Sequence, residues 1–492
     1  MAELVLSIDQ GTTGTTVLLL DPKGRIRGRA YKEIRQFYPR PGWVEHDPEE
    51  IYRSAVTLSK AALRAARADA EDVCAIGIAN QRETFVVWER NSGRPVYRAV
   101  VWQCRRSADI CEELRPHEPE ISERTGLLVD PYFSGTKLKW LLDHNPKMRM
   151  RARRGELCFG TIDSWLTFKL SRGVAHVTDF TNASRTLLFN LERREWDEAM
   201  LRMLGVPREM LPLPVASRGP IAEAAAGTIG RRPIPIGAII GDQQSALYGQ
   251  GAVTAGEAKT TYGTGAFLLM NTGARRIVSR NRLLSTSALG PLGEPAYALE
   301  GSVFIAGAAV QWLRDGLGLI KRASDSAALA RRSKRSDVYM VPAFVGMGAP
   351  YWDSRARGAI FGISRDTNRS DLVRAALDGI AYQVAEVLIA MESDAGQRLE
   401  VLRADGGASA NSYLMQFQAD LLGRSVVVPH MAETTALGAA MLAGLAAGIW
   451  RSSADLAALR KEEKTYRAKI PAAERERLLE KWRAVVARVL TR

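Results

Sequence analysis

An aspartate at the end of an apolar run, followed by a turn of glycines and threonines, is suited to holding phosphate. Asp9 follows the run 4–8 and precedes Gly11, Thr12, Thr13, Gly14 and Thr15, after which a second apolar run occupies 17–20. Glycines let the backbone approach a ligand with its N–H groups exposed, and threonine hydroxyls add donors for phosphate oxygens. Asp9 could hold a divalent cation through water, because Mg²⁺ takes few carboxylates and keeps several waters. The same residues also suit an ordinary tight hairpin. An echo lies at 259–270, where Gly263-Thr264 stands as Gly11-Thr12 does and 267–270 repeats the run 17–20. A third stretch, 401–411, reads as a strand, an Asp-Gly-Gly turn and then a helix from about Ser412, whose N-terminus suits an anion or nucleotide. Two such hairpins near the starts of two halves suggest a duplicated domain with a phosphate site between the copies.

Other side chains could act on a phosphate acceptor. Phosphoryl transfer needs phosphates cradled electrostatically, a metal, and a group that orients or deprotonates the acceptor. Asp242, after the β-branched run 236–240, is the best-placed carboxylate for a general base; the alternative is a turn aspartate capping the helix that starts near Gln243. Arg82 and Glu83, after the strand 73–79, could hold vicinal hydroxyls, one donating and one accepting, or could form a strand-end ion pair. Trp102 could lie against a small carbon skeleton or simply pack in a core. No G-x-x-x-x-G-K-[ST] loop and no H-R-D motif occurs, which excludes P-loop and protein-kinase machinery. The absence of H-E-x-x-H and G-x-S-x-G removes the commonest hydrolase readings.

The elements that must position these residues alternate. Strands are expected at 25–31, 73–79, 85–88, 99–102 and 236–240, with a helix opened by Asp47-Pro48-Glu49-Glu50. Helices are expected at 303–313, 370–392, 412–422, 435–447 and 472–490, the last from a 3.6-residue apolar stripe. This alternation predicts an α/β chain with ligands at strand ends. The domains are expected at 1–248 and 249–492, with 224–233 as the candidate mobile surface loop. A chain of 492 residues, 46% hydrophobic and 25% charged, has an ordinary globular composition and room for sizeable cores. The longest uncharged apolar run, 436–450, is too short to span a bilayer, so it is expected as a buried helix. The N-terminus enters a strand at once, and no signal peptide is expected. Four cysteines without C-x-x-C spacing are expected as reduced thiols in a cytoplasmic protein. The net charge of +14 is spread along the chain, and the dense basic runs at 149–154 and 331–335 lack interleaved aromatics, so no nucleic-acid partner is expected.

Taken in order, Asp9-Gln-Gly-Thr-Thr, Asn80-Gln-Arg-Glu-Thr, Tyr132-Phe-Ser-Gly-Thr-Lys, Gly160-Thr-Ile-Asp-Ser-Trp, Thr178-Asp-Phe-Thr-Asn-Ala-Ser-Arg, Gly241-Asp-Gln-Gln, Tyr262-Gly-Thr-Gly and Glu433-Thr-Thr-Ala-Leu-Gly resemble the FGGY carbohydrate kinases, and within them the glycerol kinases. The resemblance runs from about residue 4 to 450. It implies two RNase-H-like domains of the actin/hexokinase/Hsp70 type with a central cleft, the first binding glycerol and phosphate, the second the nucleotide. It implies ATP-dependent phosphorylation of glycerol to sn-glycerol 3-phosphate, with ATP and Mg²⁺ required. By the same resemblance Arg82, Glu83, Tyr132, Asp242 and Gln243 would bind the glycerol hydroxyls, Trp102 and Phe267 would lie against its carbons, and Asp242 would be the base. Thr12, Thr13, Gly14 and Thr264 would line the ATP phosphates, Gly307, Gln311, Gly407 and Asn411 would bind the rest of the nucleotide, and Asp9 would help hold Mg²⁺. A homo-oligomer, dimer or tetramer, is the expected assembly. The chain departs from many family members at Thr16, where they carry arginine, and at Gly14, often serine. The segment 224–233 lacks both the Gly-Lys-Gly-Gly-Thr-Arg pattern of relatives inhibited by fructose 1,6-bisphosphate and the histidine that others phosphorylate, so neither control is expected. The alternatives are an FGGY kinase for another polyol or ketose, and a non-catalytic ATP-binding protein of the actin/Hsp70 type.

Overall fold

The computed structural model describes residues 3–334, 337–353, 355–431, 433–460 and 463–491, so Arg335 of the second basic run lies outside the described residues. By internal contacts the chain forms two units. Unit 1 comprises Met1–Gly251, Ser285–Tyr297 and Glu433–Leu459; unit 2 comprises Ala252–Leu284, Ala298–Ala432 and Arg460–Arg492.

Unit 1 is built on a six-stranded sheet in the order Arg218–Ala224, Ile234–Gly241, Val73–Asn80, Leu4–Gln10, Gly14–Leu20, Ile26–Glu33. Three of the four inner strands, Ile234–Gly241, Val73–Asn80 and Leu4–Gln10, are parallel, and their registers align Gly241 with Asn80 and Asn80 with Gln10. Parallel strands demand helical crossovers, which cover both faces and explain why these strands are nearly continuous apolar runs. Leu4, Leu6, Ile8, Val17 and Leu19 point to one face, where they form a core with Ile51, Ala55 and Leu58 of the helix Pro48–Ala66 and with Trp165. That helix starts as its sequence dictates: the Asp47 side chain accepts from the Glu49 N–H at 2.9 Å, with proline at the first position. The other face carries Ser7, whose hydroxyl donates to the Ala436 carbonyl at 2.6 Å in the buried helix Thr434–Ala446. Ser245 donates likewise to the Thr435 carbonyl at 2.7 Å. A segment more than 180 residues after the strands, by its numbering in the chain, thus closes the first sheet.

Unit 2 repeats the opening arrangement. Ala258–Tyr262 and Ala266–Gly273 form a hairpin, and the first of these runs parallel to Val401–Asp405. Ser425–Pro429 extends the sheet in parallel and Glu463–Tyr466 closes it antiparallel. Its core includes the helix Arg369–Ala395, opened by an Asn368–Asp371 capping box, and the helix Ala472–Val486. Trp482 stacks on Tyr382 with centroids 4.9 Å apart and donates to Glu386 Oε2 at 2.8 Å.

Some expected elements are shorter. Val303 finishes the strand Pro295–Val303, so the helix expected at 303–313 begins only at Gly307; it is α-helical to Gln311 and continues as a wider π turn over Trp312–Gly316. The strand expected at 99–102 is Ala99–Val100, and the last helix stops at Val486. Within 224–233, Ile229 is 7% exposed and joins the first core, which ties down a segment expected as mobile surface. Among the described residues no helix is long and apolar enough to cross a membrane. All four cysteines are unpaired thiols.

Candidate active site

The aligned ends of the three parallel strands in unit 1 bring together residues far apart in sequence. The backbone N–H of Gln81 donates to the Gln10 carbonyl at 2.7 Å, continuing the register into the loops. Arg82 and Glu83 follow on one strand, Asp9 is the penultimate residue of another, and Asp242 follows the third as the first residue of the helix Asp242–Gly249. Gly241, not Asp242, occupies the capping position; Asp242 Oδ1 accepts from the Gln243 N–H at 2.7 Å. A carboxylate in the first turn faces the positive end of the helix dipole.

Arg82 is the hub of this group. Its Nε lies 3.4 Å from Asp242 Oδ1 and 3.9 Å from Glu83 Oε1. Its Nη1 donates to Gln244 Oε1 at 3.2 Å and its Nη2 to the Tyr132 hydroxyl at 3.5 Å. The closer partner of Glu83 is Arg185, whose Nε donates to Glu83 Oε1 at 2.7 Å, so Glu83 is shared between two arginines. Glu83 sits at φ 59°, a left-handed conformation that costs a non-glycine residue on the order of 1 kcal/mol. The Ser134 hydroxyl holds the strained turn by donating to the Glu83 carbonyl at 2.9 Å. Trp102 stands edge-on to Tyr132 at 5.5 Å, and its indole Nε1 donates to Thr12 Oγ1 at 2.8 Å. That bond joins the Arg82–Glu83 group to the glycine–threonine turn.

The turn itself is braced from several sides. Gly11 N–H donates to the Gly14 carbonyl at 2.9 Å, Gln36 Nε2 to the Thr12 carbonyl at 2.8 Å, and Ile34 N–H to the Thr13 carbonyl at 3.0 Å. Asp9 is half-buried beside it, and burial together with the charge of Asp242 pushes its carboxyl up to about 7. A carboxylate whose proton affinity is raised by burial and by a second carboxylate marks a site a divalent cation would relieve. Among the described residues no cluster of three or more His, Cys, Asp or Glu is placed to hold a metal. A hard cation here would take most of its ligands from water and phosphate, as Mg²⁺ does.

Behind the strand ends lies a buried network. Asp179 Oδ2 accepts from the Thr181 and Ser217 hydroxyls at 2.6 Å each, and Thr181 Oγ1 accepts from the Gly241 N–H at 2.8 Å. Asn182 and Asn80 exchange amide bonds at 2.9 and 3.0 Å. The short helix Phe180–Ala183 therefore fixes the ends of both strands that carry Arg82 and Asp242.

Unit 2 holds the remaining expected residues. Thr264 is exposed at the turn of its hairpin; Gly307 N–H donates to the Gly263 carbonyl at 2.9 Å, and Ala306 and Ala308 N–H donate to the Thr264 carbonyl at 2.8 and 3.0 Å. Gly265 is pressed against the same segment, since a Cβ there would stand 2.5 Å from the Val303 carbonyl oxygen. Gly407 and Gln311 are exposed, and Phe267 is half-buried on the strand Ala266–Gly273. Asn411 caps the helix Ser412–Leu422, its Oδ1 accepting from Tyr413 and Leu414 N–H at 3.0 Å and its Nδ2 donating to Ser326 Oγ at 2.9 Å. Asp9, Thr12, Thr13, Gly14, Arg82, Glu83, Trp102, Tyr132, Asp242 and Gln243 thus belong to unit 1, and Thr264, Phe267, Gly307, Gln311, Gly407 and Asn411 to unit 2.

Sequence reasoning assigned no role to Arg185, Gln244 and Lys137. Lys137 is fully buried and donates to the Tyr132 carbonyl at 2.7 Å; burial pushes its ammonium down to about 8. The local sequence carried no signal for this burial, because Lys137 stands among Ser134, Thr136 and a second lysine at 139.

Residues 4–249 match the model of the FGGY family of carbohydrate kinases, N-terminal domain, and residues 258–447 match that of its C-terminal domain. A curated glycerol kinase of Dechloromonas aromatica is 54% identical over 99% of this chain and 98% of its own length. One of Geobacillus kaustophilus is 52% identical over 99% of both chains. Among solved structures, Plasmodium falciparum glycerol kinase with ADP superposes with a TM-score of 0.94 at 36% identity, covering 100% of this chain and 99% of its own. A xylulose kinase from Brucella ovis shares the fold with a TM-score of 0.88 at 22% identity, covering 98% of both chains.

Proposed function

This chain belongs to the FGGY family of carbohydrate kinases, and from that premise we propose that it transfers the γ-phosphate of ATP to glycerol, yielding glycerol 3-phosphate. The observation that carries the reading is identity above one half, end to end, with curated glycerol kinases. The strand-end group supports it chemically. Arg82 supplies donors and Glu83 an acceptor for adjacent hydroxyls, Glu83 being held in place by Arg185 and by its own strained turn. Tyr132 and Gln243 complete the polar side, and Trp102 presents an apolar surface to the carbon chain.

Asp242 takes the proton of a terminal hydroxyl as that oxygen attacks the γ-phosphorus and ADP leaves. The Gln243 N–H and the Arg82 guanidinium fix its Oδ1, so the carboxylate cannot swing away from the acceptor. Glycine–threonine turns with exposed N–H groups suit the phosphates, Thr12, Thr13 and Gly14 in one unit and Thr264 in the other. Gly307, Gln311, Gly407 and Asn411 are proposed for the rest of the nucleotide and Phe267 for the glycerol carbons. Asp9 is the residue to hold Mg²⁺, which when bound would neutralise charge on the phosphate oxygens. The cytoplasm is the proposed compartment, in keeping with four unpaired thiols.

The test is ADP release over a panel of polyols and ketoses with a no-acceptor control. Release that is strongest with glycerol is expected; release indifferent to glycerol would overturn the reading. Asp242→Asn should retain glycerol binding and lose about 10²–10⁴ in kcat, and turnover within a few-fold of the parent would remove Asp242 from the base role.

A further inference from the structure

The strand register of unit 1 draws a line of side chains away from Asp9. Asp9 stands opposite Thr16, and Thr16 stands opposite Tyr31. Directly opposed residues in antiparallel strands point to the same face, so Asp9, Thr16 and Tyr31 share one side of the sheet. Thr15 points to the other side and is fully buried, which removes its hydroxyl from any ligand on the Asp9 face.

Tyr31 does not lie idle on that face. It is 48% exposed, yet its ring crosses over Gly14: a Cβ on Gly14 would stand 2.8 Å from Tyr31 Oη and 2.8 Å from its Cε2. The same Cβ would stand 2.6 Å from the Lys32 carbonyl oxygen, so glycine at 14 is what lets the phenol reach the turn. Gly14 and Tyr31 are one steric unit. The residue without a side chain leaves a gap at the edge of the turn, and the hydroxyl of a residue one strand over fills it. The turn itself offers no cation, and the Thr12 hydroxyl, which accepts the Trp102 indole N–H, has a single O–H to donate.

We propose that the Tyr31 hydroxyl is a phosphate contact of the bound nucleotide, donating from above Gly14 to an oxygen of the phosphate held by the turn at 11–14. This rests on the kinase reading above. A phenol is a neutral donor with a fixed reach, so it orients a phosphate without adding charge to the turn. Glu33, opposite Gly14 and exposed on the same face, is a carboxylate the phosphate must tolerate.

The experiment is calorimetric titration of the full-length parent and Tyr31→Phe with ADP, and with adenosine as the phosphate-free probe, beside steady-state kinetics. Tyr31→Phe should weaken ADP about 3- to 10-fold, leave adenosine unchanged, and raise KM for ATP by the same factor. KM for glycerol and kcat should stay within two-fold. Glu33→Gln should tighten ADP by a smaller factor. Unchanged ADP affinity, or equal losses for ADP and adenosine, would overturn the proposal. A parent that binds ADP but does not phosphorylate glycerol would instead overturn the functional reading, while the ADP–adenosine comparison still decides the role of Tyr31.

Discussion

The two glycine–threonine turns look alike in sequence and are secured in different ways. The turn at 11–14 adds side-chain braces to its two backbone bonds: the Trp102 indole on the Thr12 hydroxyl, the Gln36 amide on the Thr12 carbonyl, and Gln81 Nε2 on the Gly11 carbonyl at 3.2 Å. The turn at 262–265 is held by backbone, through the N–H groups of Ala306, Gly307 and Ala308. Side-chain braces can be altered one at a time, so the first turn is open to tuning and communicates with the Arg82–Glu83 group through Trp102. Backbone braces leave no such handle. They require only that Gly265 and Gly307 stay without a Cβ, which is a demand of space and not of chemistry.

The difference should show first in pH. In the buried network behind the strand ends of unit 1, Asp163 is pushed up to about 7 by burial and by the charge of Asp179, whose own carboxyl is raised mainly by burial. A carboxyl raised in the folded state holds a proton that the unfolded chain gives up near pH 4. Its stabilising effect is complete below about pH 4 and is lost as the pH rises through about 7. The parent Tm should therefore fall over that window, and Asp163→Asn should flatten the fall; parallel profiles would mean that the pair does not titrate there. Next in size, Gly265→Ala drives a Cβ against the Val303 and Phe304 carbonyls and should cost about 1–3 kcal/mol in urea unfolding, whereas a change below 0.5 kcal/mol, roughly the surface-substitution range, would refute the space argument. Smallest, Trp102→Phe removes one hydrogen bond to Thr12, worth about 0.5–1.5 kcal/mol, and should raise KM for both ATP and glycerol. A change confined to glycerol would show that Trp102 does not couple the turn to the acceptor group.

Much of this was legible because the chemistry sits where strands end. Asp9, Arg82 and Asp242 each follow an apolar β-branched run, and a parallel sheet aligns such ends without further instruction. The capping aspartate at 47 and the helix from Ser412 follow from local rules and were found. What stayed hidden depends on distance along the chain. Arg185 meets Glu83 across 102 residues, and no window of sequence carries that pairing. The positive φ of Glu83 has no propensity signal, because glutamate is not a left-handed residue by preference. The early start expected for the helix at Gly307 failed because Val303 is apolar in a strand for the same reason it would be apolar in a helix.

The helix Thr434–Ala446 also sets a timetable. Val5, Leu18 and Leu20 share the sheet face of Ser7, which that helix covers. A ribosome adding about 5–20 residues per second finishes the last parallel strand, Ile234–Gly241, on the order of tens of seconds before it reaches this helix. Throughout that interval the nascent chain carries a half-covered parallel sheet with one apolar face open to other chains. The first unit can be completed only once residues 434–446 have been made, so its yield in a cell depends on what shields that face while it waits.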